Sequence, residues 1–412
     1  MADIRPFPCI RPAEALAQRV AALPYDVYDR TEAKREARKD SLSFLNIDRP
    51  ETQFSDEVDM YAPEVYEKAK ELLLQRIEDG TFYKDEQPCY YLYELTMNGR
   101  TQNGIVACAS IDDYESGIIK KHENTREEKE QDRIRHVDVC DAQTGPIFLA
   151  YRASYILNAL ISQVKQDHPI YDFYSEDGIH HRVFRIGNKK DIAVIQDIFS
   201  NMNAIYIADG HHRAASAVKV GWKRRKENPS YTGEEPFNYF LSVLFPDTEL
   251  QIMSYNRAVK ELNGNTPSEF LASLRNLYEV IPQKNEPVSP AEKGTFGMYL
   301  DHEWYRLERK EKVSINDVVE QLDVSVLQND ILNPLLGIKD PRTDDRIEFI
   351  GGIRGLAELE RHVDTNMAVA FSMYPTSIGE LFEVADHDRL MPPKSTWFEP
   401  KLRSGLFVHS LK

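Results

Sequence analysis

The chain has 412 residues, which is long enough for two or three domains of ordinary size. Its composition, 42% hydrophobic and 29% charged, is typical of a globular protein and excludes a mostly disordered chain. The formal net charge of -16, from 51 basic and 67 acidic residues, argues against bulk electrostatic binding to DNA or to anionic membranes.

The first third of the chain predicts helices followed by a hairpin. Short helices fit "AEALAQRVAAL" and "TEAKREARKD", and a stronger helix fits residues 62–80, with Pro63 in its first turn and Gly80 at its end. The runs "CYYLYELT" and "TQNGIVACASI" flank Asn98-Gly99, a dipeptide that indicates a tight hairpin turn.

The middle of the chain mixes strands, helices and a second hairpin. A helix is predicted to begin near Thr125, followed by a strand "GPIFLAYR" and a helix "SYILNALISQVKQ". A hairpin about Asp177-Gly178, a helix "NKKDIAVIQDIF", a strand-stop-helix at "AIYIADGHHRAASAVK" and a strand "NYFLSVLF" come next.

Turn residues between 262 and 292, in "NGNTP" and "PQKNEPVSPAEKG", indicate a domain boundary. We predict an N-terminal α+β domain over 1–262 and a C-terminal α+β region over 263–412. The C-terminal region carries a hairpin "GTFGMYLDHEWYRLER", a helix near 315–332, a strand "RIEFIGG", a helix "LAELERHV" and a strand "AVAFSMYP". Because hairpins interrupt the alternation of strands and helices, mixed sheets are favoured over a doubly wound parallel sheet.

The cysteines and the hydropathy pattern predict a cytoplasmic protein. The four cysteines, Cys9, Cys89, Cys108 and Cys140, form no CxxC pair and are typical of reduced cytosolic thiols. The start "MADIRPFPCIRP" has no apolar signal core, and no apolar run approaches the roughly 20 residues of a membrane span.

The segment "ADGHHR", between a predicted strand and a predicted helix, indicates a phosphate-binding turn. Gly210 tolerates unusual backbone angles after Asp209, and the first amides of the following helix lack intrahelical partners, so an anion is favoured there. Arg213 can bind two phosphate oxygens, and His211 and His212 can exchange protons near neutral pH. In the alternative interpretation Asp209 is only an N-cap and the histidines are surface groups.

A metal site is the less favoured interpretation of the same turn. Asp209, His211 and His212 are possible ligands, but adjacent histidines rarely share one metal, and neither HxH nor HExxH spacing is present. We predict no metal held by the protein, and expect only Mg²⁺ carried by a nucleotide.

The segment "KKHENTREEKEQDRIRH" predicts a second helix start. Thr125 and Glu128 fit a capping box that begins a helix at Thr125. His122 and Glu123 then lie just before a helix N-terminus, where an anion is favoured and a carboxylate is available as a base. The rest of this charge-rich helix is predicted to be a solvated face.

The C-terminal "MPPKSTWFEPKLRSGL" predicts a stiff loop with a cation and two hydroxyls. Two prolines precede Lys394, Ser395 and Thr396, which can hold a phosphate or a carboxylate. We predict that this tail returns to the site. In the alternative interpretation the tail is structural, anchored by Trp397 and Phe398.

Several motifs occur together in an order that resembles one family. "RPF" and "PYDV", "HENT" followed by "EKEQDR", "ADGHHRAASA", "YNRAV" and "MPPKSTWFEPK" span nearly the whole chain. They resemble the bacterial and archaeal family known as domain of unknown function one-thousand-and-fifteen. The family name implies no activity.

"DGHHRAASA" is also similar to the G-x-x-R motif of the ParB and sulfiredoxin-like superfamily, and most of all to that of its free serine kinases. This resemblance implies a ParB/sulfiredoxin-like nucleotide-binding core beside a C-terminal α/β region. It places Gly210, His211, His212 and Arg213 on phosphates, and Asp209 near the transferred group or its magnesium. ParB-type motifs carry charged residues in place of the two histidines, and no helix-turn-helix is evident here, so no DNA binding is expected. Sulfiredoxins need a nearby cysteine that this chain lacks.

Together these features predict a nucleotide-dependent phosphotransferase that uses ATP or ADP and acts on a small hydroxyl substrate such as free L-serine. Catalytic roles are predicted for Glu123, Asp209 and His211, with Asp26 as a second choice of base. Phosphate contacts are predicted for Gly210, His211, His212, Arg213, His122, Thr125, Lys394, Ser395 and Thr396. The alternatives are a nucleotide sensor without turnover and a nucleotide hydrolase. No membrane partner and no particular oligomeric state are predicted.

Overall fold

The computed structural model describes residues 1–284, 286–311 and 316–412. The chain forms two compact units, one of Met1–Leu250 with Pro400–Lys412 and the other of Gln251–Glu399. The sequence placed the boundary at residue 262 and assigned the whole C-terminal segment to the second region. The structure differs because a strand just before residue 262 pairs within the second unit and the last residues pair within the first.

The strands of the described residues are, in chain order, β1 Ile4–Arg5, β2 Ile10–Pro12, β3 Phe82–Lys84, β4 Tyr90–Met97, β5 Arg100–Ser110, β6 Ile119–Lys120, β7 Ala142–Gln143, β8 Ile147–Tyr151, β9 Tyr171–Tyr174, β10 His180–Ile186, β11 Ile205–Asp209, β12 Tyr239–Pro246, β13 Ile252–Met253, β14 Tyr255–Val259, β15 Tyr278–Pro282, β16 Thr295–Leu300, β17 Glu303–Arg309, β18 Ile347–Gly351, β19 Val369–Ser372, β20 Trp397–Phe398 and β21 His409–Ser410.

The α-helices of the described residues are, in chain order, α1 Ala17–Val20, α2 Arg30–Ala37, α3 Leu45–Asp48, α4 Pro63–Glu78, α5 Ile111–Glu115, α6 Glu127–Cys140, α7 Tyr155–Val164, α8 Lys189–Ser200, α9 His211–Glu227, α10 Pro267–Leu274, α11 Asp323–Leu327, α12 Ala357–Thr365 and α13 Ile378–Asp386.

The first unit is built on a nine-stranded mixed sheet. Its order is β6-β11-β8-β12-β5-β4-β10-β9, and β1 pairs with β5 beside this path. The pairs β6/β11 and β8/β12 are parallel, and the other pairs are antiparallel. The predicted α+β fold with mixed sheets is therefore confirmed.

Local signals account for several of these elements. The β4–β5 hairpin turns at Asn98 and Gly99, whose φ angles of 52° and 79° are those of a primed turn that matches the strand twist. The first-turn position of Pro63 in α4 is confirmed, and Gly80, with φ of 80°, follows that helix. The predicted hairpin about Asp177-Gly178 is confirmed by β9 and β10.

The core of the first unit lies between the sheet and the helices packed on it. Apolar side chains of β4, β5, β8, β11 and β12 meet those of α7, α8 and α9. Leu92, Ile105, Leu149, Ile207 and Ala214 are fully buried there. The run of small residues after Gly210 lets α9 lie close to the sheet, which holds the start of that helix at the end of β11.

The second unit contains a six-stranded sheet in the order β15-β17-β16-β19-β14-β18. All of its pairs in the described residues are antiparallel, which agrees with the prediction of a C-terminal α+β region and corrects its description as α/β. Strands β16 and β17 form a hairpin, whereas α12 connects β18 to β19, which both pair with β14. The helix predicted near 315–332 appears as α11 and a wide helical turn, Gln328–Leu332, while residue 315 lies outside the described residues.

The predicted start of α6 is wrong. The helix begins at Glu127, and its N-cap residue Arg126 makes no side-chain cap. Thr125 instead donates its hydroxyl to Glu130 Oε2 at 2.7 Å, and Glu128 accepts a hydrogen bond from Tyr61 at 3.0 Å. A hydrogen bond between Thr125 and Glu130 and a tertiary contact between Tyr61 and Glu128 therefore replace the predicted capping box.

None of the described helices combines the length and the apolar character needed to cross a lipid bilayer.

Candidate functional site

The two polar motifs meet at one edge of the large sheet. Strands β6 and β11 are parallel, with Ile119 opposite Ile205 and Lys120 opposite Tyr206. Because parallel strands end at the same edge, the segment after β6, which contains His122, lies beside the turn after β11. The helices that follow the two segments also pack together, and Ser216 of α9 donates to the Glu130 carbonyl of α6 at 3.1 Å.

The turn after β11 consists of Gly210 alone. A bulge between Ile207 and Asp209 ends the strand, and Gly210 adopts a φ of 94° as the N-cap residue of α9. A β-carbon at this position would lie 3.0 Å from the Arg213 guanidinium. The glycine was predicted to let a ligand approach the backbone, but on this side the arginine side chain of the same motif fills that space.

Asp209 forms an ion pair and not a helix cap. Its Oδ2 accepts a hydrogen bond from Lys401 Nζ at 3.0 Å, and α9 has no side-chain cap, so the N-cap interpretation is wrong. Burial alone would raise the pKa of Asp209, but the positive charges of Lys401 and Arg213 hold it well below its usual value. The carboxylate therefore stays ionised at neutral pH.

His122 and His211 are buried against each other. They are 2% and 6% exposed, and their rings meet edge to face with centroids 4.5 Å apart. The backbone N–H of His122 donates to His211 Nε2 at 3.5 Å, while neither ring nitrogen of His122 has a hydrogen-bond partner.

Burial keeps both rings neutral at pH 7. It lowers the pKa of His122 to about 4, and it lowers the pKa of His211 well below the usual value, with the neighbouring His122 adding to the effect. The expected proton exchange by His211 near neutral pH is therefore corrected. A neutral imidazole at this position can still accept a hydrogen bond or ligate a metal.

His122, Glu123 and His211 each offer a ligand atom, and these atoms lie within 4.8 Å of one another. Sequence reasoning considered a different set, with Asp209 and His212. In the structure His212 Nε2 accepts a hydrogen bond from the backbone N–H of Arg126 at 2.9 Å. The contact explains how adjacent histidines separate: one ring turns inward and the other toward the segment before α6.

A small cleft with a cavity volume of about 30 Å³ lies on the other side of the α9 start. Arg213 and Arg133 line it from α9 and α6, together with Tyr25, Thr144 and Ser404. Arg213 donates to the Pro146 carbonyl through Nη1, and its Nε has no hydrogen-bond partner.

The α6 side chains at this cleft are fixed by buried contacts. Arg133 lies 4.1 Å over the ring of Tyr25 and pairs with Asp132 at 2.9 Å. Asp132, Arg133 and His136 are 8%, 6% and 1% exposed, so the prediction of a solvated helix face is wrong. The sequence pattern missed this because a paired charge can be buried, and pairing depends on residues distant in the chain.

The C-terminal motif divides between the two units. Lys394, Ser395 and Thr396 belong to the second unit. There Ser395 donates to the Pro392 carbonyl at 2.6 Å, and Lys394 Nζ lies 5.7 Å from the Tyr255 ring centroid. Their contact with a phosphate stays a prediction. The last lysine of the same motif, Lys401, is the one that pairs with Asp209.

Sequence reasoning missed Lys401, Arg133 and Tyr25 as members of the site. All three lie within motifs that mark the family resemblance: "MPPKSTWFEPK", "EKEQDR" and "PYDV". Membership of these motifs was the signal in the sequence that could have identified the three residues. Only the fold shows which of their side chains point toward one another.

The family is established by comparison of the sequence. The model of the family described as "Protein of unknown function (DUF1015)" matches residues 4–325. The chain belongs to this family. A search of curated proteins gave no match.

Solved structures share a distant likeness. A mutant free serine kinase in complex with ADP is 14% identical with a TM-score of 0.36, covering 72% of this chain and 87% of that chain. Free serine kinase in complex with AMP is 16% identical with a TM-score of 0.35, covering 72% and 86%. SbnI with C-terminal truncation from Staphylococcus aureus is 12% identical with a TM-score of 0.39, covering 74% and 89%. At these values the likeness does not define a function.

Proposed function

We propose that the protein is a nucleotide-dependent phosphotransferase that acts on a small hydroxyl substrate, with free L-serine as the first candidate. The observation that carries the proposal is the placement of Arg213. It projects from the start of α9 beside the small cleft, with a second arginine on the same cleft.

The electrostatics around the cleft support phosphate binding. Arg133 is paired with Asp132, so its charge is already compensated, whereas Arg213 keeps an unpartnered Nε. The amides at the start of a helix favour an anion, and Arg213 adds a guanidinium that can bind two phosphate oxygens. Lys401 neutralises Asp209. A local positive site thus forms within a chain whose net charge is -16.

The hydroxyls and the small residue at the cleft suit an oxygen-rich ligand. Thr144 and Ser404 line the cleft, and Gly145 presents no side chain there. The Thr144 hydroxyl donates to Asp48 Oδ1 at 2.8 Å, which leaves its oxygen able to accept. Phosphoryl transfer depends on positioning and charge neutralisation, and these groups supply both.

In the proposed reaction the substrate hydroxyl attacks the terminal phosphorus of ATP or ADP. A new P–O bond forms as the bond to the leaving nucleotide breaks, and Glu123 takes the hydroxyl proton. Asp209, held ionised by Lys401, is proposed to face the transferred group or the magnesium ion that the nucleotide carries. Asp26 is the alternative base and is exposed at the surface.

Serine is chosen as the acceptor because "DGHHR" resembles the motif of the free serine kinases. To test this, the protein is incubated with ATP or ADP, magnesium and a set of amino acids, and the products are identified by mass spectrometry. Phosphoserine formed in the presence of serine, and absent with the Arg213→Ala protein, is the expected result.

Two other outcomes would overturn the proposed reaction. Tight nucleotide binding without any product would identify a sensor. Nucleotide loss that does not depend on an acceptor would identify a hydrolase. Calorimetric titration with a non-hydrolysable nucleotide distinguishes the sensor and the hydrolase, which bind the nucleotide, from a protein that does not bind it.

A further inference from the structure

We propose that His122, Glu123 and His211 bind a divalent first-row transition-metal ion, with zinc as the first candidate. The site uses protein ligands alone and does not require a nucleotide. It goes beyond the proposed function and makes Glu123 a metal ligand in place of a base, so that Asp26, the alternative base, takes the substrate proton.

The three side chains lie close enough together for one metal ion to bind all of them. Their ligand atoms lie within 4.8 Å of one another. In a tetrahedral zinc site with bonds of about 2.0–2.2 Å, two ligand atoms lie about 3.4 Å apart. The ligand atoms therefore need to approach one another by up to about 1.4 Å, which rotation of the side chains can supply. Glu123 is half-buried.

His122 provides an independent observation. It is 2% exposed, and both of its ring nitrogens lack a hydrogen-bond partner. A buried polar group without a partner destabilises a fold, so such groups usually mark a function or a ligand. The ring is held edge-on to His211 at 4.5 Å, the neighbour with which it would share the ion. Coordination would give one of these nitrogens the partner that the protein does not provide.

The tertiary structure explains why these ligands converge. His122 and Glu123 follow β6, and His211 follows β11, its parallel neighbour. The sheet register therefore fixes the two histidines at one edge, although they are far apart in the sequence. A ligand set brought together by paired backbones is more rigid than one carried on a single loop.

The donor set selects the class of metal. Two imidazole nitrogens and one carboxylate oxygen suit zinc and its first-row neighbours, whereas Mg²⁺ prefers oxygen ligands and keeps its waters. Three protein ligands leave a coordination position for a water molecule or for an oxygen of a phosphate or carboxylate ligand. Within the described residues all four cysteines are buried, so they do not compete as surface thiols.

The test uses the full-length protein after treatment with a chelator. ZnCl₂ is titrated by calorimetry, and CoCl₂ is titrated while its visible absorption is recorded, since a protein-bound cobalt ion shows characteristic bands. We expect one ion per chain, bound without competition from millimolar MgCl₂. Glu123→Gln and His211→Asn should each weaken zinc affinity by at least about tenfold and abolish the cobalt bands. His168→Ala removes an exposed histidine of the same unit and should leave both signals unchanged.

Circular dichroism and thermal unfolding show whether each variant folds. Glu123→Gln preserves the side-chain shape and serves as the decisive variant: zinc should raise the melting temperature of the wild-type protein and not that of Glu123→Gln. The proposal is overturned if zinc binds the wild type and Glu123→Gln equally, or binds neither. Arg213→Ala should retain the metal while losing nucleotide affinity, so a failure of the metal site and a failure of the nucleotide site give different results.

Discussion

Two strand-to-helix junctions lie side by side in the first unit and differ in length. Between β11 and α9 the chain turns through Gly210 alone, whereas between β6 and α6 it takes residues 121–126. The short junction holds Asp209 and Arg213 in place. The longer one directs His122 into the interior and brings the Arg126 amide to His212.

The difference in length indicates which interactions determine the conformation of each junction. A one-residue turn depends on local backbone conformation, so it leaves a clear trace in the sequence, a glycine before a run of small helical residues. The longer junction depends on contacts with its neighbour, because α6 has no side-chain cap. The first junction is therefore expected to respond most to backbone changes and the second to changes at tertiary contacts.

The largest stability effect is expected at the short junction. Gly210→Ala places a β-carbon in the left-handed region and within 3.0 Å of the Arg213 guanidinium. We expect it to lower the free energy of unfolding by roughly 2 kcal/mol, from backbone strain and displacement of that side chain. Urea denaturation measures the change. Gly117→Ala is the matched control, since its φ is 75° but no atom lies within 4 Å. Equal losses for both would mean that the Arg213 contact contributes nothing.

Removal of the Arg213 guanidinium should weaken nucleotide binding. Arg213→Ala is expected to weaken nucleotide affinity at least about tenfold, near the 1.4 kcal/mol that a charged hydrogen bond supplies. Calorimetry with ATP or ADP measures the dissociation constant. Arg126→Ala removes an exposed arginine from the longer junction and serves as the control. Unchanged affinity in Arg213→Ala would count against a phosphate site at α9.

The Asp209–Lys401 pair should contribute about 1 kcal/mol, because the Asp209 side chain remains 30% exposed and solvent screens the pair. A double-mutant cycle of Asp209→Asn and Lys401→Met measures this coupling by urea denaturation. An additive cycle would show that the pair is not stabilising.

The same pair predicts a pH dependence. Since the folded-state pKa of Asp209 lies below its unfolded value of about 3.9, the stabilisation is present above that pH. It is lost as the pH falls through the lower folded-state pKa. Asp209→Asn should therefore show a smaller loss of stability under acid than the wild type, and identical acid curves would contradict this assignment.

The smallest effect is expected at the start of α6. Thr125→Ala removes the hydrogen bond to Glu130 at 2.7 Å and should cost about 0.5–1 kcal/mol. Glu128→Gln should cost less, since Glu128 accepts only from the exposed Tyr61 contact. Thermal unfolding of both variants tests the order. If Glu128→Gln were the more harmful change, the Tyr61 contact would contribute more to the start of α6 than the Thr125–Glu130 hydrogen bond.

Local signals predicted much of the fold. The turn at Asn98-Gly99, the first-turn position of Pro63 in α4 and the glycine-led start of α9 were confirmed because each depends on residues close in sequence. The domain boundary and the start of α6 differ from the predictions. Each of these depends on pairings between distant segments, which periodicity does not reveal.

The residues of the candidate site also fall into two groups, those that the sequence identified and those that only the fold revealed. The polar residues of "HENT" and "DGHHR" were identifiable because dense polar groups near helix starts are unusual. Their partners were not identifiable. Lys401, which pairs with Asp209, lies near the end of the chain. Arg133 lies on a charge-rich helix that the sequence predicted to face solvent, but it is buried.

The sequence by itself determined where the sharp turn falls, which residues could carry chemistry and which family the chain resembles. The tertiary structure decided that His122 meets His211 and that Lys401 pairs with Asp209. The physical reason is that a turn is set by the conformations open to one or two residues, whereas a site is set by strand register and burial. Both of those join residues that the sequence keeps far apart.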